Sequence, residues 1–178
     1  MASDKLVADV TKVVDELVKA GGPVPIPTLG KLGQQIAAAF GVKADEVAIL
    51  GMVFENRFLK FVVPEKLQNI GTIPVTSTTA LAARTARDKR PEVINNFAIA
   101  KHSTVFEAVP LTEQRGEPIQ KIMSAPVSVD NKVIGVIQVS RKGRTQAAAG
   151  PDFTPKELGD LVAVSVQIGR CLKLCPIS

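Results

Sequence analysis

Two long apolar runs joined by a two-residue polar bend constrain this chain more than any other feature. The first is Gln120-Lys121-Ile122-Met123-Ser124-Ala125-Pro126-Val127-Ser128-Val129. The second is Lys132-Val133-Ile134-Gly135-Val136-Ile137-Gln138-Val139-Ser140, and Asp130-Asn131 lies between them. Val- and Ile-rich runs around such a bend form an antiparallel hairpin. A second hairpin is expected upstream, from Glu46–Phe54 and Phe58–Val63, with Glu55, Asn56 and Arg57 in the turn and Pro64 closing it. Gly135, which has no side chain, permits another element to approach its strand closely.

Apolar side chains at Leu6, Val10, Val13 and Leu17 make a helical stripe that Ser3 or Asp4 can cap and Gly21-Gly22 stops. Pro23-Val24-Pro25-Ile26-Pro27 reads as an extended linker. A helix over 28–40 shows Leu29, Leu32, Ile36 and Phe40 on one face. Residues 65–74 read as a loop. A further helix is expected from Ser77 or Thr78 as cap to about residue 88, ended by Pro91 and followed by a short strand, Glu92-Val93-Ile94-Asn95. Residues 96–118 look irregular, with one helical turn at Ser103–Ala108. Such long stretches inside a compact domain are often functional. Residues 141–151 read as a surface loop. Thr154 then caps the last helix, with Pro155 at its first position and Glu157 three residues after the cap.

This order gives an α+β fold: a central antiparallel sheet with the first and last helices on one face, and the central helix and long loop over the other. The expected organisation is an amphipathic helix over 1–22, a Pro-rich linker over 23–27 and the main domain over 28–175. A length of 178 residues suits one domain, large enough to fold without a disulfide or metal. Seven Phe and no Trp or Tyr leave the core to Val, Ile, Leu and Ala.

The net charge is +5, from 22 Lys and Arg against 17 Asp and Glu. Two basic clusters stand out: Arg84, Arg87, Lys89 and Arg90, and then Arg141, Lys142 and Arg144. Neither is interleaved with aromatics, so both read as solvated surface and no nucleic-acid partner is expected. No apolar stretch is long enough to span a membrane, and the N-terminus does not have the form of a signal peptide. The two cysteines, Cys171 and Cys175, make no disulfide framework, and a cytoplasmic setting is expected.

Several segments together resemble the GAF domain family over about residues 28–172. They are Ile73-Pro74, Thr79 to Arg87, Pro91-Glu92-Val93-Ile94-Asn95, Ile122 to Val127, Val133 to Val139, and Asp152-Phe153-Thr154-Pro155 leading into the last helix. The resemblance implies a sheet of five or six strands with the terminal helices on one face. On the other face it implies a small-molecule pocket, roofed by the helix at 77–88 and the loop at 95–118. Carried over by position, the lining is Thr79, Ala83, Asn95, Phe97, His102, Phe106 and Met123. The resemblance also implies a homodimer through the terminal helices, motivated by the apolar stripes of Leu6–Val18 and Leu158–Leu172. Bilin-binding members attach their chromophore through a cysteine beside the pocket or upstream of it. Neither place has one here, so no covalent bilin is expected. The signature of cyclic-nucleotide-binding members is not evident in residues 95–107.

His102 is the single histidine, and no metal-ligand spacing is present. No nucleophile–base pair or glycine-rich phosphate loop stands out. The chain is therefore expected to be a binding module and not an enzyme: a sensor that relays through its terminal helices to a partner protein. The alternatives are a structural dimerisation unit without ligand, or a redox enzyme of the same fold acting through Cys171 or Cys175.

Overall fold

The computed structural model describes residues 2–97 and 118–177. The elements are helices α1 (Ala2–Ala20), α2 (Ile26–Phe40), α3 (Leu81–Asp88), α4 (Gln146–Ala149) and α5 (Pro155–Leu172). The strands are β1 (Val47–Val53), β2 (Phe58–Val63), β3 (Thr72–Pro74), β4 (Glu92–Ile94), β5 (Ile119–Val129) and β6 (Lys132–Lys142). The six strands form one sheet in the order β3-β2-β1-β6-β5-β4, and every neighbouring pair is antiparallel. The expected α+β architecture is the observed one.

The β5–β6 hairpin is where the sequence places it. Asp130 and Asn131 both take positive φ, 52° and 66°, the conformation that lets a two-residue turn match the twist of its strands. The α5 start is also as expected. Thr154 and Glu157 exchange capping hydrogen bonds, and Pro155 occupies the first turn, where its missing N–H is harmless.

Three boundaries differ from the sequence reading. Helix α2 begins at Ile26 rather than Thr28, because Pro27 fits a first helical turn as well as a linker. The proposed linker is itself packed: Val24 is buried and donates its N–H to the Leu174 carbonyl at 2.9 Å. Helix α3 begins at Leu81, not at Ser77 or Thr78. The Ser77 hydroxyl instead accepts the N–H groups of Thr79 and Ala80, closing a turn ahead of the helix. The loops at 65–74 and 141–151 contain β3, α4 and the end of β6.

The sheet separates two layers. On one face α1, α2 and α5 bury Leu6, Val10, Val14, Leu29, Leu32, Ile36, Leu161, Val164 and Ile168 against Val47, Ile49, Ala125, Val127, Ile137 and Val139. The carboxyl ends of α1 and α5 lie together, tied by Arg170 to Asp15 at 2.7 Å. On the other face α3 lays Ala82, Ala83 and Ala86 over Leu50, Leu59, Phe61 and Val136. The close approach expected at Gly135 is present: a β-carbon there would meet the Leu50 carbonyl oxygen and lie 2.6 Å from Leu172 at the end of α5.

Candidate functional site

Alternation along β5 and β6 puts Ser124 and Gln138 on the α3 face, in register with each other. Gln138 is also in register with Ala48 on β1, and Ser124 with Glu92 on β4. This row crosses the sheet beneath α3. Ser124 is 0 % exposed, Thr85 of α3 1 % and Gln138 2 %.

Their hydrogen bonds run in one direction. The Gln138 amide Nε2 donates to Ser124 Oγ at 3.2 Å. Ser124 Oγ and Thr85 Oγ1 lie 2.7 Å apart, and Thr85 Oγ1 donates to the Leu81 carbonyl at 3.0 Å. A carbonyl only accepts, so Thr85 spends its one hydrogen there and Ser124 donates to Thr85. At the head of this chain Gln138 Oε1 is buried and has no hydrogen-bond partner among the described residues. A buried acceptor left unmatched costs roughly 1–3 kcal/mol, which a donor brought by another molecule would recover.

Thr85 also lines a cleft of about 480 Å³, together with Arg84, Asp88, Arg90, Pro91 and Glu92. Its polar wall is partly spent on itself: Arg84 donates to both carboxylate oxygens of Glu92, at 3.2 and 2.8 Å. Arg87 is likewise engaged, donating to the Val75 and Ser77 carbonyls.

The lining expected from the sequence divides. Ala83 is fully buried on the sheet-facing side of α3, and Phe97 is buried against Leu81 and Ile122, so both belong to this layer. Thr79 is exposed on the turn before α3. Met123 packs on the opposite face, in the core under the terminal helices, because it is one residue out of register with Ser124 and Ile122. Asn95 also faces the terminal-helix layer, where its amide bonds the backbone of Phe153. His102 and Phe106 lie outside the described residues. Thr85, Ser124 and Gln138 were not anticipated. The available signal was a lone polar residue in the apolar runs that hold Ser124 and Gln138; Thr85, among Arg84, Arg87 and Asp88, had none.

A scan against family models matches the GAF domain over residues 28–172. The chain belongs to the GAF domain family. The comparison with curated proteins found no match. Among solved structures this GAF domain is similar to that of an Acinetobacter phosphoenolpyruvate-protein phosphotransferase. The two share 16% identity with a TM-score of 0.68, over 93% of this chain and 92% of that one. It is also similar to the nlh2 GAF domain of A. aeolicus in an inactive state, at 15% identity and TM-score 0.66, over 97% and 96% of the two chains. A third is free methionine-R-sulfoxide reductase from Neisseria meningitidis in complex with its substrate, at 11% identity and TM-score 0.65, over 97% and 89%. At these identities the likeness shows the fold. GAF domains generally serve as ligand-binding and signalling modules.

Cys171 and Cys175 sit in the terminal-helix layer, across the sheet from the Gln138–Ser124–Thr85 chain. Burial raises the Cys171 thiol pKa. It pushes that of Cys175 up to about 11, with Cys171 adding to the shift. Thiols that stay protonated near neutral pH are poor nucleophiles, which counts against a redox role at the α3 face. Between pH 9 and 11 the unfolded chain releases the Cys175 proton while the folded one keeps it. The burial preference therefore stabilises the fold fully below pH 9 and is lost as pH rises through 11. At pH 8 a thiol-specific reagent should label Cys175 about a hundredfold more slowly in the native protein than in urea, from the pKa shift alone. Equal rates would show the thiol to be open. Among the described residues no group of three His, Cys, Asp or Glu side chains is placed to hold a metal. None of their helices is long and apolar enough to cross a membrane.

Proposed function

We propose that this GAF domain is a small-molecule sensor whose ligand binds on the α3 face and donates a hydrogen bond to Gln138 Oε1. The carrying observation is that buried acceptor, unmatched among the described residues at the head of the hydrogen-bond chain through Ser124 and Thr85. Small-molecule sites are mostly apolar with a few placed polar groups. Here Ala83, Phe97 and the adjoining aliphatic core supply the apolar part, and Gln138, Ser124 and Thr85 the polar part. Terminal helices α1 and α5 would carry the response to a partner protein. Reduced, buried cysteines suit a cytoplasmic setting.

Native mass spectrometry on protein purified from cells is expected to show a retained small molecule. Gln138→Leu should reduce its occupancy about tenfold, the value of one good hydrogen bond. The same variant removes the unmatched acceptor but also the Nε2 donor to Ser124, so the ligand-free protein should keep its stability in urea to within about 1 kcal/mol. Unchanged occupancy in the variant, or no retained mass with either protein, would leave only a structural role.

The second copy expected from the sequence also has support. On α5, Val162 and Val166 stand one turn apart and are 36% and 56% exposed, and Val18 of α1 is 38% exposed. We infer a homodimer that covers these valines. Light scattering at tens of micromolar should give twice the chain mass, and Val166→Glu should give the monomer. A native monomer would remove the dimer and leave the ligand site standing.

A further inference from the structure

We propose that Asn95 couples the α3 face to helix α5, acting as a positioning residue through which the placement of Phe97 sets the first turn of α5. The purpose of such coupling rests on the sensor reading; its test does not.

Three side chains hold the segment that enters α5. Lys121 of β5 donates to the Gly150 carbonyl at 2.6 Å and pairs with Asp152 at 2.8 Å. Arg141 of β6 donates to the Pro151 carbonyl at 2.8 Å and covers the Phe153 ring at 4.2 Å. Asn95 takes both backbone groups of Phe153. Its Nδ2 donates to the carbonyl at 3.0 Å, and its Oδ1 accepts the N–H at 2.9 Å. Phe153 immediately precedes Thr154, the α5 cap.

The three anchors are not equally fixed. Lys121 and Arg141 lie in eleven-residue strands, each paired with a strand on both sides. Asn95 follows the last residue of β4, a three-residue strand that, among the described residues, lies at the sheet edge with one neighbour. Short edge elements open at lower free energy than central ones. Two residues further on, Phe97 is buried in the other layer against Leu81 and Ile122 and donates its N–H to the Gln120 carbonyl at 2.9 Å. A stretch of three residues therefore touches both layers, around the edge of the sheet rather than through it. A shift of Phe97 is either absorbed within Asn95-Asn96 or passed to Phe153, and the paired hydrogen bonds of Asn95 favour passing it on.

Hydrogen exchange by mass spectrometry on the full chain tests this without a ligand. Phe97→Leu perturbs the α3 layer. It is expected to speed exchange over residues 153–158 about tenfold while leaving β6 unchanged, the signature of local opening. In an Asn95→Ala background the same Phe97→Leu change should add nothing over 153–158. If its effect is the same with and without Asn95, or if it never reaches 153–158, the coupling is refuted. A uniform rise that includes β6 means general destabilisation and also refutes it. Should Asn95→Ala not fold, Asn95→Asp replaces it, since it keeps the acceptor for the Phe153 N–H and loses the donor to its carbonyl. Ligand retention is measured separately. Coupling without a ligand refutes the sensor reading alone, and a ligand without coupling refutes this inference alone.

Discussion

Gly135→Ala is expected to destabilise the domain by about 3 kcal/mol, the upper range for overpacking a core. The new β-carbon would meet the Leu50 carbonyl oxygen, part of the backbone of the adjacent strand, and would lie 2.6 Å from Leu172. A side-chain tip can turn away, but the β1 backbone is held between β2 and β6. Relief therefore requires β1 and β6 to separate or the end of α5 to lift. The measurement is the urea midpoint, read together with near-ultraviolet circular dichroism. A loss well under 1 kcal/mol would mean that α5 sits farther from β6 than described.

Arg141→Ala should cost a similar amount, about 3 kcal/mol, and Arg141→Lys should restore less than half of it. Arg141 is 8% exposed. It donates to the Phe40 carbonyl at 3.0 Å and the Pro151 carbonyl at 2.8 Å, lies 3.8 Å from the Glu157 carboxylate, and stacks on Phe153. Truncation leaves two carbonyls without their donor and Glu157 without its cation, each a loss of roughly 1–3 kcal/mol when buried. Lysine supplies one ammonium where the site uses a planar fork, so it cannot serve both carbonyls and the ring together. Full rescue by lysine would show that charge alone matters there. The assay is chemical denaturation of the three proteins at one pH and salt concentration.

Arg141 also shows where sequence reading stopped. Beside Lys142 and Arg144 it looks like part of a solvated basic patch. Strand alternation instead turns it into the terminal-helix layer, while Lys142 faces the other way toward Asp45 and Glu46. The hairpins, the sheet and the α5 cap were legible because each depends on local signals: a two-residue bend, a run of β-branched residues, a Thr-Pro-x-Glu start. The assignment of faces was not. Residues 121–125 are all buried, so the sequence shows no polar alternation there, and a slip of one residue moves Met123 from one layer to the other. For the same reason Ser124 and Gln138 passed unnoticed: each is a small interruption in an apolar stretch, and only cross-strand register unites them, while Thr85 stands among Arg84, Arg87 and Asp88 and reaches them only through the packing of α3. Asn95 was singled out by position and proved to bond elsewhere, because its partner Phe153 is 58 residues away in the chain.

The packing of α1 has a practical consequence. Family similarity starts at residue 28, yet Leu6, Val10 and Val14 share one interior with Leu161, Val164 and Ile168. The stretch that the family model matches is thus shorter than the stretch that must melt together. A fragment cut at residue 28 would leave the flank of α5 that α1 covers bare to water, and its behaviour would describe a damaged object rather than the native one.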